Sequence, residues 1–199
     1  MIVANATQKN MPTIIPIRKP SDTSHRMTGE ELFALPDSGR TELIQGEVIR
    51  MAPTGYLHGI IEVDIASILR AFVKQENIGR VLSGEVGIYI QRDPDTIRAA
   101  DVAYISNERF ARVQSQSYLD VAPELIVEIL SPGDNWHDVA DKIDEYFDID
   151  VNAVWLVNPK KREVFVYHGS MPIVRLTTAD TLTEPQILPG FEIAVSEFF

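Results

Sequence analysis

The run Leu125-Ile126-Val127-Glu128-Ile129-Leu130 is apolar except for one carboxylate. A charge inside such a run suffers a large desolvation penalty unless a partner compensates it, which makes Glu128 a candidate site residue. The bland alternative is a buried Glu hydrogen-bonded to a neighbour. Period two places Glu128 on one strand face with Ile126 and Leu130. Asp101 opens a second strand pattern, Asp101-Val102-Ala103-Tyr104-Ile105. Adjacent strands lie about 4.8 Å apart, so two carboxylates on one face can share a divalent cation through hard oxygen ligands. Alone, Asp101 reads as a strand-start or turn acid; its meaning comes from Glu128.

Lys142 falls on the helical pattern after the Glu128 strand, at the border of the apolar stripe Val139, Ile143, Tyr146 and Phe147, while Asp141 points away. It is the only Lys or Arg between Arg112 and Lys160, amid seven acids from Asp134 to Asp150. Such a side chain either snorkels to solvent or stabilises the ionised form of buried carboxylates. His58 lies on the inward face of an earlier helical pattern, either as a satisfied core histidine or as a contact to phosphate or water. Glu62 lies at the edge of that face. Glu42 and Glu47 read most simply as solvent-face charges of a hairpin, Glu47 keeping a minor claim to a site.

Other chemistries lack their signatures. The chain has no Cys, which removes disulfides, thiol nucleophiles, iron–sulfur clusters and zinc ribbons together. His25, His58, His137 and His168 show no HxxxH or HExxH spacing, and no GxSxG, GxxxxGK[ST] or GxGxxG occurs.

The elements that must position these residues follow from pattern. With 199 residues, 45% hydrophobic and 24% charged, the chain has the composition of one globular domain. Residues 1–27 carry Pro12, Pro16 and Pro20 without periodicity and are expected to form a flexible tail before a single domain at 28–199. Thr28 and Glu31 form a capping-box pattern for a short helix running to about Leu35, and Asp37-Ser38-Gly39 reads as a turn. Residues 41–51 read as a hairpin about Gln45-Gly46, and 58–73 as a helix with Ile61, Ile65, Ile68, Leu69 and Phe72 inward. Val81 to Ile90 reads as one bent strand. Leu125 to Leu130 has the character of a strand buried mid-sheet. Residues 153–157 are a further strand, Glu163 to Tyr167 alternates like an edge strand, and Thr177 to Phe199 reads as a loop-rich end.

Net charge is −11, which counts against unassisted nucleic-acid binding. Residues 101–150 alone hold twelve acids against Arg109, Arg112 and Lys142. No apolar run approaches the roughly 18 to 20 residues of a membrane span, and the start lacks the pattern of a secretory leader. No membrane association and a cytoplasmic location are therefore expected.

The order helix, strand, strand with Asp101, strand with Glu128, helix with Lys142, strand resembles the PD-(D/E)XK nuclease superfamily. More narrowly, the chain is similar to the bacterial family of "putative restriction endonucleases" also known as a domain of unknown function. The likeness spans roughly residues 27 to 199. It rests on Glu42-Leu43-Ile44-Gln45-Gly46-Glu47, Pro53 through His58, Asp101-Val102, Pro123 through Pro132, Lys142 with Tyr146, Trp155-Leu156-Val157 and Leu188-Pro189-Gly190-Phe191. Ala100 stands where the superfamily has Pro, and Leu130 where it has Lys; the resemblance moves the Lys role to Lys142. Asp150 replaces a Gly common in relatives, an expected turn variation.

The resemblance implies an α/β fold, a restriction-endonuclease-like mixed central sheet flanked by helices, with an N-terminal hairpin and C-terminal strands. It implies Mg²⁺ or Mn²⁺ held by Asp101 and Glu128, with Lys142 orienting water or offsetting charge and His58 in support. DNA is the implied substrate, hydrolysed to 5′-phosphate and 3′-hydroxyl ends, and a homodimer is expected because two strands are cut. Two other readings stand beside it. One is a catalytically silent nuclease-fold protein acting through protein contacts. The other is an acidic nucleic-acid mimic, which leaves Glu128 unexplained.

Overall fold

A computed structural model describes residues 26–36 and 39–199. The tail expectation up to residue 25 and the turn at Asp37-Ser38 lie outside the described residues. Met27, at the end of the segment read as a tail, donates its backbone N–H to the Gly46 carbonyl at 3.0 Å.

The chain runs through α1 (Gly29–Phe33), β1 (Thr41–Ile44), β2 (Glu47–Arg50), α2 (Tyr56–Glu76), β3 (Gly79–Gln91) and β4 (Thr96–Ser106). It continues with α3 (Asn107–Phe110), β5 (Leu125–Ile129), α4 (Trp136–Asp148) and β6 (Ala153–Asn158). Strands β7 (Glu163–Tyr167), β8 (Pro172–Thr177), β9 (Thr181–Glu184) and β10 (Leu188–Ala194) follow, with a closing 3₁₀ turn at Val195–Phe198. Local chemistry accounts for the boundaries. Thr28 and Glu31 close a reciprocal capping box at α1. Gln45 and Gly46 both take positive φ (52° and 77°), the left-handed pair that a two-residue turn between twisted strands requires. Asn77 ends α2 in the left-handed conformation, and Asp150 (φ 70°) takes up the conformation that glycine would favour.

The main sheet has the order β2-β1-β4-β5-β6-β7-β8, with β3 along the other edge of β4. Among the strands described, only β5 and β6 pair in parallel, and α4 crosses between them. Alternation along β5 divides the core. Leu125, Val127 and Ile129 pack with Ile61, Ile65, Leu69 and Val73 of α2, whereas Ile126 packs with Ile143 and Tyr146 of α4. This is a mixed central sheet flanked by helices, with an N-terminal hairpin and C-terminal strands, as the resemblance implies. The buried, mid-sheet position of β5 is as its apolar run requires.

Three readings are corrected. Asp101 lies within β4, not at its start, because pairing with β3 extends the strand back to Thr96. β7 is not an edge strand: it lies between β6 and β8, and β8 forms the edge. The C-terminal region is not loop-rich. β9 and β10 form a hairpin whose Leu182, Leu188 and Phe191 complete the α2-side core. Glu184 fastens it, buried, accepting from the Trp155 indole at 3.3 Å and lying 3.0 Å from His168 Nε2.

Candidate active site

The site arises where one strand edge is shared. β3 occupies one edge of β4 along its length. On the other edge β1 pairs only at Ile97, and β5 only from Val102 to Tyr104. Residues 98–101 lie along the gap between β1 and β5, so the backbone groups that point into it must find side chains. The Ala99 N–H donates to Glu42 Oε1 at 3.1 Å, and the Ala99 carbonyl accepts from Lys142 Nζ at 2.8 Å.

Glu42 is therefore no solvent-face charge. It is 4% exposed, accepts from Arg98 Nη1 at 2.8 Å and lies 3.3 Å from Lys142 Nζ. The solvent-face reading fails because β1 is covered on both faces at this point. Glu47 is exposed on β2, as read.

Glu128 is held by α4. Its Oε2 accepts from Lys142 Nζ at 2.9 Å and its Oε1 from the Tyr146 hydroxyl at 2.7 Å. Lys142 and Tyr146 stand four residues apart, so one helix face presents both donors. Val102 lies opposite Val127, and the next step along the two strands brings Asp101 level with Glu128. Asp101 Oδ2 accepts the Ile129 N–H at 2.7 Å and lies 3.2 Å from His58 Nε2. The fold thus gathers Asp101, Glu128, Lys142 and His58 around one strand gap.

The structure adds residues that sequence reasoning did not assign. Glu62 lies 4.0 Å from His58 Nδ1, and one ligand atom each from His58, Glu62 and Asp101 fall within 4.8 Å of one another. The i, i+4 spacing of His58 and Glu62 was the signal available. The bulge in β3 puts Glu85 in the left-handed region (φ 62°), where its carboxylate accepts from Arg40. Nothing in the local pattern marks Glu85, Arg40 or Arg98 as site residues, because tertiary pairing alone brings them here.

Burial drives the electrostatics. Desolvation raises Glu128 to about 7; Lys142 opposes this and Asp101 adds to it. Burial disfavours the Lys142 ammonium, but Glu128 and Glu42 outweigh it and hold the pKa above the usual lysine range. Burial also opposes ionisation of Glu42, yet Lys142 and Arg98 bring its pKa below the ordinary value. His58 is raised despite its burial, because Asp101 bonds and attracts its charged form. Glu85 is raised by burial and by Asp101. Glu42 thus stays anionic and Lys142 cationic at neutral pH, and Glu128 is the group poised to change charge.

The arrangement fits a hard divalent cation. Asp101, Glu128, Glu62, Glu85 and Glu42 outnumber Lys142, Arg98 and Arg40, leaving an excess of negative charge in a largely buried volume. The buried His58 Nδ1 has no hydrogen-bond partner. Carboxylate oxygens with one imidazole suit a hard or borderline divalent cation rather than a thiophilic metal.

Comparison with known proteins agrees with this architecture. A family profile described as "Putative restriction endonuclease" matches residues 29–196. The crystal structure of a putative nuclease belonging to DUF820 from Anabaena variabilis is similar over 87% of this chain and 97% of that one, with 21% identity and a TM-score of 0.72. No curated protein matches the chain. No helix among the described residues is long and apolar enough to cross a membrane.

Proposed function

The chain belongs to the Uma2 family of putative restriction endonucleases, and from that membership and the site geometry we propose that it is a metal-dependent endonuclease hydrolysing phosphodiester bonds of DNA. One observation carries the reading: two carboxylates on adjoining strands, Asp101 and Glu128, reach one strand gap, with the Lys142 ammonium 2.9 Å from Glu128. A core built only for stability has no need of such a group, since burying carboxylates costs more than apolar packing of the same volume.

Asp101 and Glu128 would hold Mg²⁺ or Mn²⁺, with Glu62 and His58 in reach of Asp101. When bound, the ion supplies Lewis-acid polarisation of a phosphoryl oxygen and acidifies a water. The protein's own groups do the rest. The Ile129 N–H and His58 fix Asp101, and Tyr146 fixes Glu128. Lys142, which Glu128 and Glu42 favour in its ammonium form, offsets the negative charge that develops on the phosphoryl group as water attacks and the bond to the 3′ oxygen breaks.

A second reading is favoured by α2. Its outward Tyr56, Leu57, Ile60 and Val63 are exposed, which suits a nuclease-fold protein acting through protein contacts, or a homodimer. Supercoiled-plasmid nicking separates the two. Wild type is expected to nick in Mg²⁺ or Mn²⁺ and not in EDTA, and Asp101→Asn, Glu128→Gln and Lys142→Met each to remove most of that activity, with double variants adding little. Wild type that cuts under no divalent metal sinks the nuclease reading; retained cleavage by Glu128→Gln sinks the site assignment.

A further inference from the structure

Lys142 Nζ meets three oxygens: the Ala99 carbonyl at 2.8 Å, Glu128 at 2.9 Å and Glu42 at 3.3 Å. The two carboxylates differ in how they are themselves held. Among the described residues, Glu128 is gripped only by Lys142 and the Tyr146 hydroxyl, two side chains of one helix. Glu42 is fixed from elsewhere, by the Ala99 N–H and by Arg98, and Arg98 is braced in turn by Glu145 through bonds of 2.5 and 3.0 Å. One carboxylate is built into the sheet, and the other can leave the lysine without disturbing backbone.

We propose that Glu42 is a positioning residue, the permanent counterion that retains Lys142 at the strand gap when Glu128 turns to a divalent cation. The inference deepens the metal-dependent reading and rests on it. With Glu42 in place, the ammonium gives up one of two anionic partners as Glu128 moves, and the Ala99 carbonyl and Glu42 keep it where it faces the reacting phosphate. Without Glu42, Glu128 is its only carboxylate partner. Lysine and cation then compete for one carboxylate, and cation binding weakens although none of its ligands has changed.

That competition is the readout, because a residue that merely stabilises the fold does not produce it. Mn²⁺ binding to the full chain would be measured by calorimetry or by electron paramagnetic resonance for wild type, Glu42→Gln, Lys142→Met and the double variant. Loss of such a supporting partner typically costs 10- to 100-fold in metal affinity, and Glu42→Gln is expected to weaken Mn²⁺ by about tenfold at the lower end of that range. In the Lys142→Met background the same change should have little effect, since no ammonium remains to compete. Equal weakening in both backgrounds, or wild-type affinity in Glu42→Gln, overturns the inference. Should Glu42→Gln fail to fold, Glu42→Asp keeps the charge but withdraws it from Lys142, and an unchanged Mn²⁺ affinity there is equally fatal. Wild type that binds no Mn²⁺ at all overturns the metal reading itself, and this inference with it.

Discussion

Replacing Glu128 with Gln without metal tests whether the site is strained by its own charge. Burial raises the Glu128 carboxyl from 4.5 to about 7. At 1.36 kcal/mol per unit, that displacement corresponds to about 3 kcal/mol. The sign follows from linkage: a carboxyl raised in the folded state contributes stability below its unfolded pKa, and the contribution is lost as pH rises through the folded value. Wild type should therefore lose about 3 kcal/mol between roughly pH 4.5 and pH 8 from this group alone. Glutamine has similar volume, can accept from Lys142 and donate to Tyr146, and never ionises. Its weaker bond to the ammonium gives back about 1 kcal/mol. Near pH 8 Glu128→Gln should then be more stable than wild type by about 2 kcal/mol, roughly 4 to 8 °C in Tm for a chain of this size. At pH 5 the advantage should vanish or reverse. Paired thermal melts across pH 5 to 8 in EDTA measure the difference, in which the other titrating groups cancel. A difference that stays flat with pH, or a variant less stable at pH 8, refutes the claim that Glu128 is strained by burial.

Added Mg²⁺ or Mn²⁺ should raise the Tm of wild type by mass action, and Asp101→Asn should lose most of that gain; a wild type blind to metal in thermal melts contradicts the proposed site. His58 has a raised folded pKa, so its stabilisation is present below about pH 6.5 and fades as pH rises through the folded value. His58→Gln should flatten that part of the curve, as melts from pH 5 to 9 would report. Glu184→Ala leaves the Trp155 indole and His168 without their buried acceptor and should cost about 2 kcal/mol, read by urea denaturation. Deleting residues 1–25, which lack periodicity, should leave the Tm within a few degrees; a larger fall would show that they dock on the domain.

Much of the fold was legible because its determinants are local. The capping box at Thr28 and Glu31, the left-handed turn at Gln45-Gly46, the inward stripe of α2 and the doubly apolar run of β5 each follow from propensity or period over a few residues. The same logic made Glu128 conspicuous, since a lone charge in an apolar run is anomalous wherever the strand lies, and it made Lys142 notable as the one cation of an acidic helix. Residue pattern thus singled out Glu128 and made Asp101 and Lys142 candidates, and the family resemblance carried by the motifs implied the fold class and a joint role for the three. Tertiary structure decided the rest, because it depends on which strand edges meet. The strand gap exists only because β1 and β5 share an edge of β4 without covering residues 98–101. That unpaired backbone draws Glu42 and Lys142 inward, and the β3 bulge brings Glu85 and Arg40 to the same place. A hairpin glutamate beside an inward leucine looks solvated until a second strand and a helix close over it, and burial by distant elements leaves no local trace in the chain.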